Sequence, residues 1–338
     1  MTATTRQIQL ARRPQGEPTH EDFQLVEVPL PDPEPGQMVI RNAYVSVDPY
    51  MRGRMRDVKS YIPPFEVDAP LDGGAVGQVV ASNGGPFEEG VWVQHMGGWR
   101  EHAIGDGALT YPVDPDLAPI STSLGVLGMP GLTAYAGVTE IAPVKEGETV
   151  FVSAAAGAVG SAAGQIARLR GCRVVGSAGS QEKVDWLTGE LGFDAAFNYK
   201  EVAVADALRE HFPKGIDVYF DNVGGDHLDA ALARMRVHGR IALCGTISNY
   251  NDEQLPPGPA NFMAILPRRV NIRGFIVFDH GHLMKDFLRE VGGWVGSGEL
   301  RYRETVVEGI ERMPDAFIGL LGGENVGKML VKVGPDAR

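Results

Sequence analysis

Residues 149–183 read TVFVSAAAGAVGSAAGQIARLRGCRVVGSAGSQEK, and the rest of the chain is organised around them. The apolar run at 149–153 predicts a buried parallel strand. A turn with the spacing A-x-x-G-x-x-G follows, then a helical pattern that closes at Gly171 and a second apolar run. Strand, glycine turn, helix and strand in this order are typical of a dinucleotide-binding unit, although glycines alone also mark ordinary tight packing. The turn would meet a pyrophosphate at the positive end of the helix dipole through Ala156, Gly157, Ala158, Val159 and Gly160.

The end of the second strand bears on which dinucleotide binds. NAD-binding units place an Asp or Glu about 20 residues past the glycines, where it accepts a hydrogen bond from the ribose. Residues 176–180 here are GSAGS, without a carboxylate, and Lys183 follows within one turn. The Ser180 hydroxyl beside a cation suits the additional phosphate of NADP. The alternative is that Lys183 is only a solvated residue of the first helical turn.

Composition limits the possible partners. The 338 residues suit two domains, and the net charge of −12 argues against nucleic acid and anionic membrane surfaces. No apolar run approaches the roughly 18 residues of a membrane span, and the N-terminus lacks the apolar core of a signal peptide. Cys172 and Cys244 are expected to be buried thiols, so we expect a cytoplasmic protein.

The first 120 residues are rich in short strand-like runs between Pro/Gly turns, which predicts a small, partly closed barrel. Asp48–Pro64 interrupts this pattern and is expected to be a loop with a short helical turn. The predicted strands are Gln7–Leu10, Phe23–Val28, Met38–Ser46, Ala75–Ala81, Val91–Gln94 and Trp99–Ile104.

From residue 121 onward, helices and strands alternate. Helices are expected at Leu124–Met129 and Leu132–Glu140, with a break at Pro130–Gly131. Six strands separated by helices predict a doubly wound parallel sheet. These strands lie near 149–153, 172–177, 195–197, 216–220, 239–245 and 271–277. The alternating strand Lys328–Val333 is expected to rejoin the first domain, which gives domains 1–123 with 300–338 and 124–299.

Motifs across nearly the whole chain carry a family resemblance. They include VSVDPYMRGRM (45–55), GMPGLTAYAG (128–137), YFDNVGG (219–225), GRIALCGTISNYN (239–251) and ENVGKMLV (324–331). Together they resemble the zinc-independent medium-chain dehydrogenases/reductases, in particular the prostaglandin reductase and leukotriene B4 dehydrogenase group. The resemblance implies a Rossmann doubly wound sheet plus a GroES-like partly closed β-barrel. It also implies an NADPH-dependent 2-alkenal/enone reductase that forms a homodimer.

The histidines and cysteines predict no metal site. Zinc alcohol dehydrogenases bind zinc through Cys and His, but His95, His102 and His280 form no pair at ligand spacing with either cysteine. Without zinc there is no Lewis acid to polarise an alcohol. Hydride addition to an activated alkene needs only a nicotinamide and a donor near the carbonyl oxygen, so it is favoured.

Tyr250 is the first candidate for that donor. It follows the strand at 239–245, at the carboxyl end where open α/β sheets bind ligands. The resemblance implies that the Tyr of this C-G-x-I-S-x-Y stretch acts on the substrate oxygen or the nicotinamide ribose. The alternative is a loop tyrosine that only packs on the cofactor.

The D-P-Y-M-R segment offers candidates for the substrate side. Tyr50 either faces the substrate or is a structural aromatic residue of the barrel. Arg52 could bind a substrate carboxylate, or pair with Asp48 or Asp57. Tyr61 could line the pocket. Some relatives have a larger residue where Gly73 or Gly74 stands, so the size of the pocket is left open.

The resemblance also carries cofactor contacts over by position. Asn222 and Asn325 could instead be turn-forming residues. The implied contacts are Met129, Thr133, Tyr199, Asn222, Cys244, Gly245, Thr246, Ile247, Ser248, Tyr250, Phe275, Ile276, Val277 and Asn325.

Two other functions stay open at this point. One is an NADP-dependent alcohol or hydroxy-eicosanoid dehydrogenase, in which the same site would oxidise an alcohol. The other is a non-catalytic NADPH-binding protein similar to quinone reductases.

Overall fold

The computed structural model describes residues 3–254 and 256–337, and these form two compact units. The described residues up to Leu124, together with those from Glu304 onward, make the first unit. Gly125–Arg303 make the second. Which unit serves the substrate and which the cofactor remains a prediction.

In the first unit, short strands build the GroES-like partly closed barrel. Its N-terminal elements are β1 (Thr4–Leu10), β2 (Phe23–Pro29), β3 (Met38–Ser46), α1 (Tyr50–Arg54), β4 (Ala75–Ser82), β5 (Trp92–His95), β6 (His102–Gly105) and β7 (Tyr111–Pro112). β3 has the predicted ends, whereas β6 begins three residues later than predicted. The reason is Trp99, which is fully buried with a left-handed φ of +58° that no strand accommodates.

In the second unit, strands and helices alternate as the sequence predicts. The elements are α2 (Met129–Ala136), β8 (Thr149–Val152), α3 (Ala158–Leu169), β9 (Arg173–Ala178), α4 (Gln181–Gly189), β10 (Ala195–Asn198), α5 (Val204–His211), β11 (Ile216–Asp221), α6 (Gly225–Arg234), β12 (Met235–Leu243), α7 (Ile265–Arg268), β13 (Asn271–Gly274) and α8 (Met284–Ser297). Among the described residues, these strands form one parallel sheet in the order β10-β9-β8-β11-β12-β13. The order reverses between β8 and β11, which creates the crevice where doubly wound folds bind ligands.

The predicted helix break at Pro130–Gly131 is wrong. Both residues lie in the first turn of α2, where a proline is tolerated because its missing N–H has no helical partner anyway. A Cβ on Gly131 would lie 2.0 Å from the Val126 carbonyl oxygen, so glycine is needed for this close approach. The helix predicted at 124–129 is also wrong, because a 3-10 turn at Ile120–Leu124 is followed by non-helical turns.

The last predicted strand of the sheet is shorter than expected. β13 ends at Gly274, and a 3-10 turn at Val277–Leu283 leads into α8. The apolar residues Phe275 and Ile276 made this segment look like a strand, but they connect the sheet to the turn.

The chain then returns to the first unit through β14 (Glu304–Glu308), α9 (Met313–Gly322) and β15 (Lys328–Lys332). β15 pairs with β14 and, antiparallel, with β3. Phe317 packs edge-on against Phe23 and Trp99, with ring centroids 6.2 and 5.9 Å apart. The core of this unit therefore combines both ends of the chain. Among the described residues, no helix is long and apolar enough to span a membrane.

Candidate active site

The turn between β8 and α3 has the shape of a phosphate-binding loop. Ala154 has a φ of +47°, and Gly157 caps α3 in an extended conformation. A Cβ on Gly160 would lie 2.4 Å from the Ala154 carbonyl oxygen, so only glycine lets the helix start this close to the loop. The first N–H groups of a helix lack intrahelical partners and point at the turn. Of the predicted residues, Ala156 lies in this turn and Ala158 and Val159 begin α3 directly after it, so the loop and the helix start fit a pyrophosphate.

A positively charged cluster lies beyond the ends of β9 and β10. The Ser180 hydroxyl caps α4 by accepting a hydrogen bond from the Lys183 N–H at 3.4 Å. Burial and the nearby Lys200 ammonium lower the pKa of Lys183. The Tyr199 hydroxyl lies over Gly179, where a Cβ would be 3.0 Å from its oxygen. A phosphate bound here would relieve the repulsion between the two ammonium groups, so the cluster fits the extra phosphate of NADP.

Lys200 is a residue that the sequence reasoning missed. It stands directly after Tyr199 in the stretch FDAAFNYK (193–200), two residues past the end of β10, but only Tyr199 was given a role there. The signal was present, because residues just after parallel strands line the ligand edge of the sheet.

Asn222 is held at the carboxyl end of β11, next to β8. Its backbone N–H donates to Ser153 Oγ at 2.9 Å, and its side-chain Nδ2 donates to the Ser153 carbonyl oxygen at 2.8 Å. The amide therefore has a fixed orientation at the edge of the nucleotide loop.

Asp221 organises the loop that carries Asn222. Asp221 Oδ1 accepts hydrogen bonds from the N–H groups of Val223 and Gly224, both at 2.9 Å, and from the Tyr219 hydroxyl at 2.6 Å. Burial raises the pKa of the Asp221 carboxyl, and the hydrogen bonds to it oppose that rise. The sequence reasoning gave Asp221 no role, although it stands in the motif YFDNVGG.

The loop after β12 brings Tyr250 to the same edge of the sheet. A Cβ on Gly245 would lie 3.2 Å from the Tyr250 hydroxyl oxygen and 3.4 Å from the Asn222 carbonyl oxygen. Ile247 N–H donates to that Asn222 carbonyl at 3.3 Å. Tyr250 is half-buried. The predicted donor and the predicted cofactor amide thus follow adjacent parallel strands and lie close together.

The other residues of this loop also contact the Asn222 loop. The Ser248 hydroxyl donates to the Val223 carbonyl oxygen at 2.6 Å. A Cβ on Gly224 would lie 3.1 Å from Thr246 Cβ. Cys244 N–H donates to the Asp221 carbonyl oxygen at 2.8 Å. These contacts join the two loops into one surface.

The remaining predicted cofactor contacts of the second unit lie on α2 and after β13. Thr133 Oγ1 donates to the Met129 carbonyl oxygen at 2.8 Å, which leaves its lone pairs able to accept. Phe275 packs edge-on against Phe220 of β11, with centroids 6.4 Å apart, and Ile276 and Val277 follow it. Whether these residues touch a cofactor stays a prediction.

In the first unit, Tyr50 begins α1 at a half-buried position. Burial and the Asp48 carboxylate raise the pKa of its hydroxyl, so Tyr50 stays protonated at neutral pH and able to donate. Tyr61, in the following loop, is 55% exposed, and its hydroxyl contributes to the raised pKa of Tyr50.

Arg52 is only 1% exposed, and its Nη2 donates to the Gly16 carbonyl oxygen at 2.6 Å. This placement favours a structural role for Arg52 over substrate binding.

A buried ion pair supports the segment that carries Tyr50. Lys328 Nζ donates to Asp48 Oδ1 and to the Val47 carbonyl oxygen, both at 2.9 Å. Both carboxylates predicted to pair with Arg52 pair with other cations. Asp48 pairs with Lys328, and the Asp57 carboxylate lies 3.9 Å from the Arg13 guanidinium. Lys328 is a second residue that the sequence reasoning missed, because its partner stands 280 positions away.

In the first unit, contacts with nearby residues account for the asparagine at 325 and the glycine at 73. Asn325 Nδ2 donates to the Gly327 carbonyl oxygen at 2.7 Å, which holds the turn before β15. A Cβ on Gly73 would lie 2.3 Å from Met51 Cε, whereas a Cβ on Gly74 would meet nothing closer than 3.4 Å. The room left by Gly73 is thus taken by the methionine next to Tyr50.

Both cysteines are free thiols, but only Cys172 is buried as predicted, whereas Cys244 is half-buried. Burial raises the pKa of Cys172 to about 11 and that of Cys244 to about 12. Both are therefore protonated at neutral pH, and neither is a nucleophile.

Comparison with known proteins identifies the family. Two protein-family models match, "N-terminal domain of oxidoreductase" over residues 6–113 and "Zinc-binding dehydrogenase" over residues 158–291. The chain is 44% identical to the NADPH-dependent curcumin reductase of Escherichia coli, with 97% of this chain and 96% of that protein covered. It is 45% identical to the NADP+-dependent 2-alkenal reductase of Nicotiana tabacum, with 98% of each covered.

A solved structure agrees with these relatives. The crystal structure of CurA from Vibrio vulnificus in complex with NADPH matches with a TM-score of 0.93 and 46% identity, covering 98% of this chain and 99% of that chain. The chain belongs to the zinc-independent medium-chain dehydrogenase/reductase family. The family and the fold predicted from the sequence are thereby confirmed. The roles of single residues in this medium-chain reductase stay predictions.

Proposed function

We propose that this medium-chain reductase uses NADPH to reduce the C=C bond of α,β-unsaturated ketones and aldehydes. The observation that carries the proposal is the placement of the Tyr250 hydroxyl and the Asn222 backbone around Gly245, at the carboxyl ends of adjacent parallel strands. The relatives named above act on a 2-alkenal and on curcumin by their names, and one solved relative holds NADPH.

The phosphate cluster supports NADPH over NADH. Ser180, Lys183, Tyr199 and Lys200 surround the place where an NAD-specific unit carries an acidic residue. Two ammonium groups attract the extra phosphate, and no carboxylate in the stretch 176–180 repels it.

The chemistry assigned to Tyr250 follows from charge. NADPH, when bound, supplies a hydride to the β-carbon of the alkene. The π electrons then move to the carbonyl oxygen, and the resulting enolate needs a hydrogen-bond donor there. The Tyr250 hydroxyl serves as this donor, directly or through the ribose hydroxyl, and the α-carbon then takes a proton from solvent.

The test is steady-state oxidation of NADPH by the purified protein with a simple enone. We expect enone-dependent loss of NADPH absorbance and a product with a saturated C–C bond and an intact carbonyl. Two parallel reactions separate the alternatives. Turnover only with an alcohol and NADP+ would support a dehydrogenase, and NADPH binding without turnover in either reaction would support a binding protein.

We infer that the protein is a cytoplasmic homodimer. β13 is an edge strand with only β12 beside it among the described residues. Phe262, Met263 and Leu266 are 60%, 72% and 74% exposed, which is unusual for large apolar side chains on a monomer. Light scattering of the eluting protein would give a mass near twice that of the chain, and a monomer mass at micromolar concentration would contradict the inference.

A further inference from the structure

Three ligating side chains of the second unit, none of them assigned a role above, meet beside the turn that follows Phe275 and Val277. Glu140 lies on a π-helical turn, Gly137–Ile141, which continues α2. His280 and His282 lie on the 3-10 turn Val277–Leu283, before α8. The sequence shows only part of this group, the H-x-H spacing of His280 and His282, because the carboxylate stands 140 residues before them.

The distances fit a small metal ion. Glu140 Oε1 lies 3.3 Å from His280 Nδ1, and Glu140 Oε2 lies 2.8 Å from His282 Nε2. One ligating atom from each residue lies within 4.8 Å of the others. Because Zn²⁺ binds nitrogen and oxygen at about 2.0–2.2 Å, neighbouring ligand atoms of a tetrahedral site are about 3.3–3.5 Å apart. Small rotations of the three side chains therefore suffice to bind the ion.

His280 is the residue that distinguishes this group from a surface ion pair. It is only 5% exposed, and its ring packs edge-on against Phe275 with centroids 5.9 Å apart. Its buried Nδ1 lies 3.3 Å from Glu140 Oε1, where the two groups attract each other without good hydrogen-bond geometry. A buried polar atom without a hydrogen bond costs free energy unless something satisfies it. A bound cation would satisfy it.

We propose that Glu140, His280 and His282 form a binding site for Zn²⁺ outside the candidate active site. Two imidazoles and one carboxylate suit a borderline-soft ion, whereas Mg²⁺ and Ca²⁺ prefer oxygen ligands throughout. The fourth position is left for water. His282 is 58% exposed in its side chain, which gives the ion a path from solvent.

The site joins the end of α2 to the turn before α8. Both belong to the second unit, so the ion stabilises that unit by linking segments far apart in sequence. None of the three ligands is itself a predicted cofactor or substrate residue, although His280 packs against the predicted contact Phe275. We therefore expect an ion that supports the fold and takes no part in hydride transfer.

The experiment uses the full-length protein, stripped with a chelator and then titrated with Zn²⁺ against a chromophoric chelator. We expect one equivalent to bind with micromolar or tighter affinity and to raise the melting temperature. Co²⁺ added in place of Zn²⁺ should give visible d–d absorption of a nitrogen- and oxygen-ligated site.

Three variants make the test specific. His282→Asn and Glu140→Gln each keep a polar side chain of similar size but remove one ligand, so Zn²⁺ affinity should fall by about tenfold or more. His238→Asn removes an exposed histidine outside the group and should leave binding unchanged. Wild-type protein that binds less than one equivalent, or variants that bind as tightly as wild type, would overturn the proposal.

The outcome is independent of the proposed enzyme activity. Chelator-stripped wild type should reduce an enone as fast as the zinc-loaded protein. If stripping abolished turnover and zinc restored it, the ion would belong to the reaction, and the assignment of this group to a separate site would be wrong.

Discussion

The Tyr250 hydroxyl lies against Gly245 and beside the Asn222 loop, so deleting it changes one hydrogen-bonding group and leaves the packing of the ring intact. In Tyr250→Phe we expect the turnover number with a simple enone to fall more than about fivefold, and by as much as roughly 10². NADPH affinity should change little, because the bond matters mainly when negative charge develops on the substrate oxygen.

The matched control for this prediction is Tyr111→Phe, an exposed tyrosine of β7. It should behave like wild type in both turnover and NADPH binding. An unchanged turnover number in Tyr250→Phe would remove Tyr250 from the mechanism and make Tyr50 the next residue to substitute.

Lys183 should decide between the two nicotinamide cofactors. We expect wild type to bind NADPH at least about tenfold more tightly than NADH, or roughly 1.4 kcal/mol. Lys183→Ala should remove most of this difference and spare NADH, because only the extra phosphate uses the charge. Binding titrations of both cofactors check this, with Lys214→Ala, an exposed lysine of the same unit, as the control. Equal affinity of wild type for the two cofactors would contradict the assignment.

At the scale of elements, the fit of α3 against the nucleotide loop depends on Gly160. A methyl group there would lie 2.4 Å from the Ala154 carbonyl oxygen and 2.9 Å from Ala155 Cα, and neither backbone atom can rotate away. Gly160→Ala should therefore weaken NADPH binding about tenfold or more and cost about 1–3 kcal/mol of stability.

Gly189→Ala is the control for this substitution. Gly189 ends α4, and a Cβ there meets no atom within 4 Å, so we expect unchanged binding and equal or slightly higher stability. Comparable losses in both variants would mean that the close approach at Gly160 is not the cause.

The elements also separate what the sequence could predict from what it could not. β8, its glycine turn and α3 depend on neighbours within about 20 residues, so hydrophobic periodicity and glycine spacing revealed them. The limits of β6 and β13 depend on a left-handed Trp99 and on aromatic packing of Phe275, which no periodicity encodes. Proline placement misled the prediction of α2 because the same residue both starts and breaks helices.

The candidate active site likewise contains residues that the sequence could predict and residues that it could not. Tyr250, Asn222 and Lys183 follow predicted strands and could be named from the sequence. The Asp48–Lys328 pair could not, and outside this site neither could the joining of Glu140 to His280 and His282, because in each case one partner stands far away in the chain and only the tertiary fold brings it close.

At the scale of the whole molecule, buried histidines make stability depend on pH. Burial lowers the pKa of His95 to about 3 and that of His227 to about 4. The contacts of His95 fit the neutral ring with its proton on Nε2, because Nδ1 accepts from the Gly97 N–H at 3.1 Å and Nε2 donates to Asn42 Oδ1 at 2.8 Å. Protonation would place an N–H at Nδ1 against the N–H of Gly97.

The direction of this pH dependence follows from comparing the histidine pKa values in the folded and unfolded protein. The ordinary pKa of 6.5 in the unfolded chain lies above the folded values, so the unfolded state takes up protons first as the pH falls. Stability is full above about pH 6.5 and declines as the pH falls toward 4 for His227 and toward 3 for His95, by about 2 kcal/mol per histidine at pH 5. Urea unfolding at pH 7.5 and pH 5 measures this. His227→Gln should reduce the difference between the two pH values, and an undiminished difference would mean that other groups cause it.

The state of the two thiols has a consequence for a protein that handles electrophilic alkenes. Such compounds alkylate cysteine by Michael addition, and the attacking species is the thiolate. With pKa values of about 11 and 12, Cys172 and Cys244 hold only about 10⁻⁴ to 10⁻⁵ of their population as thiolate at pH 7. The protein should therefore survive prolonged exposure to its own substrates, and intact-mass measurement after incubation with excess enone in the absence of NADPH should find no cysteine adduct. An adduct on Cys172 would show that the folded chain opens often enough to expose it, whereas an adduct on the half-buried Cys244 would show that its thiolate forms more readily than its raised pKa implies.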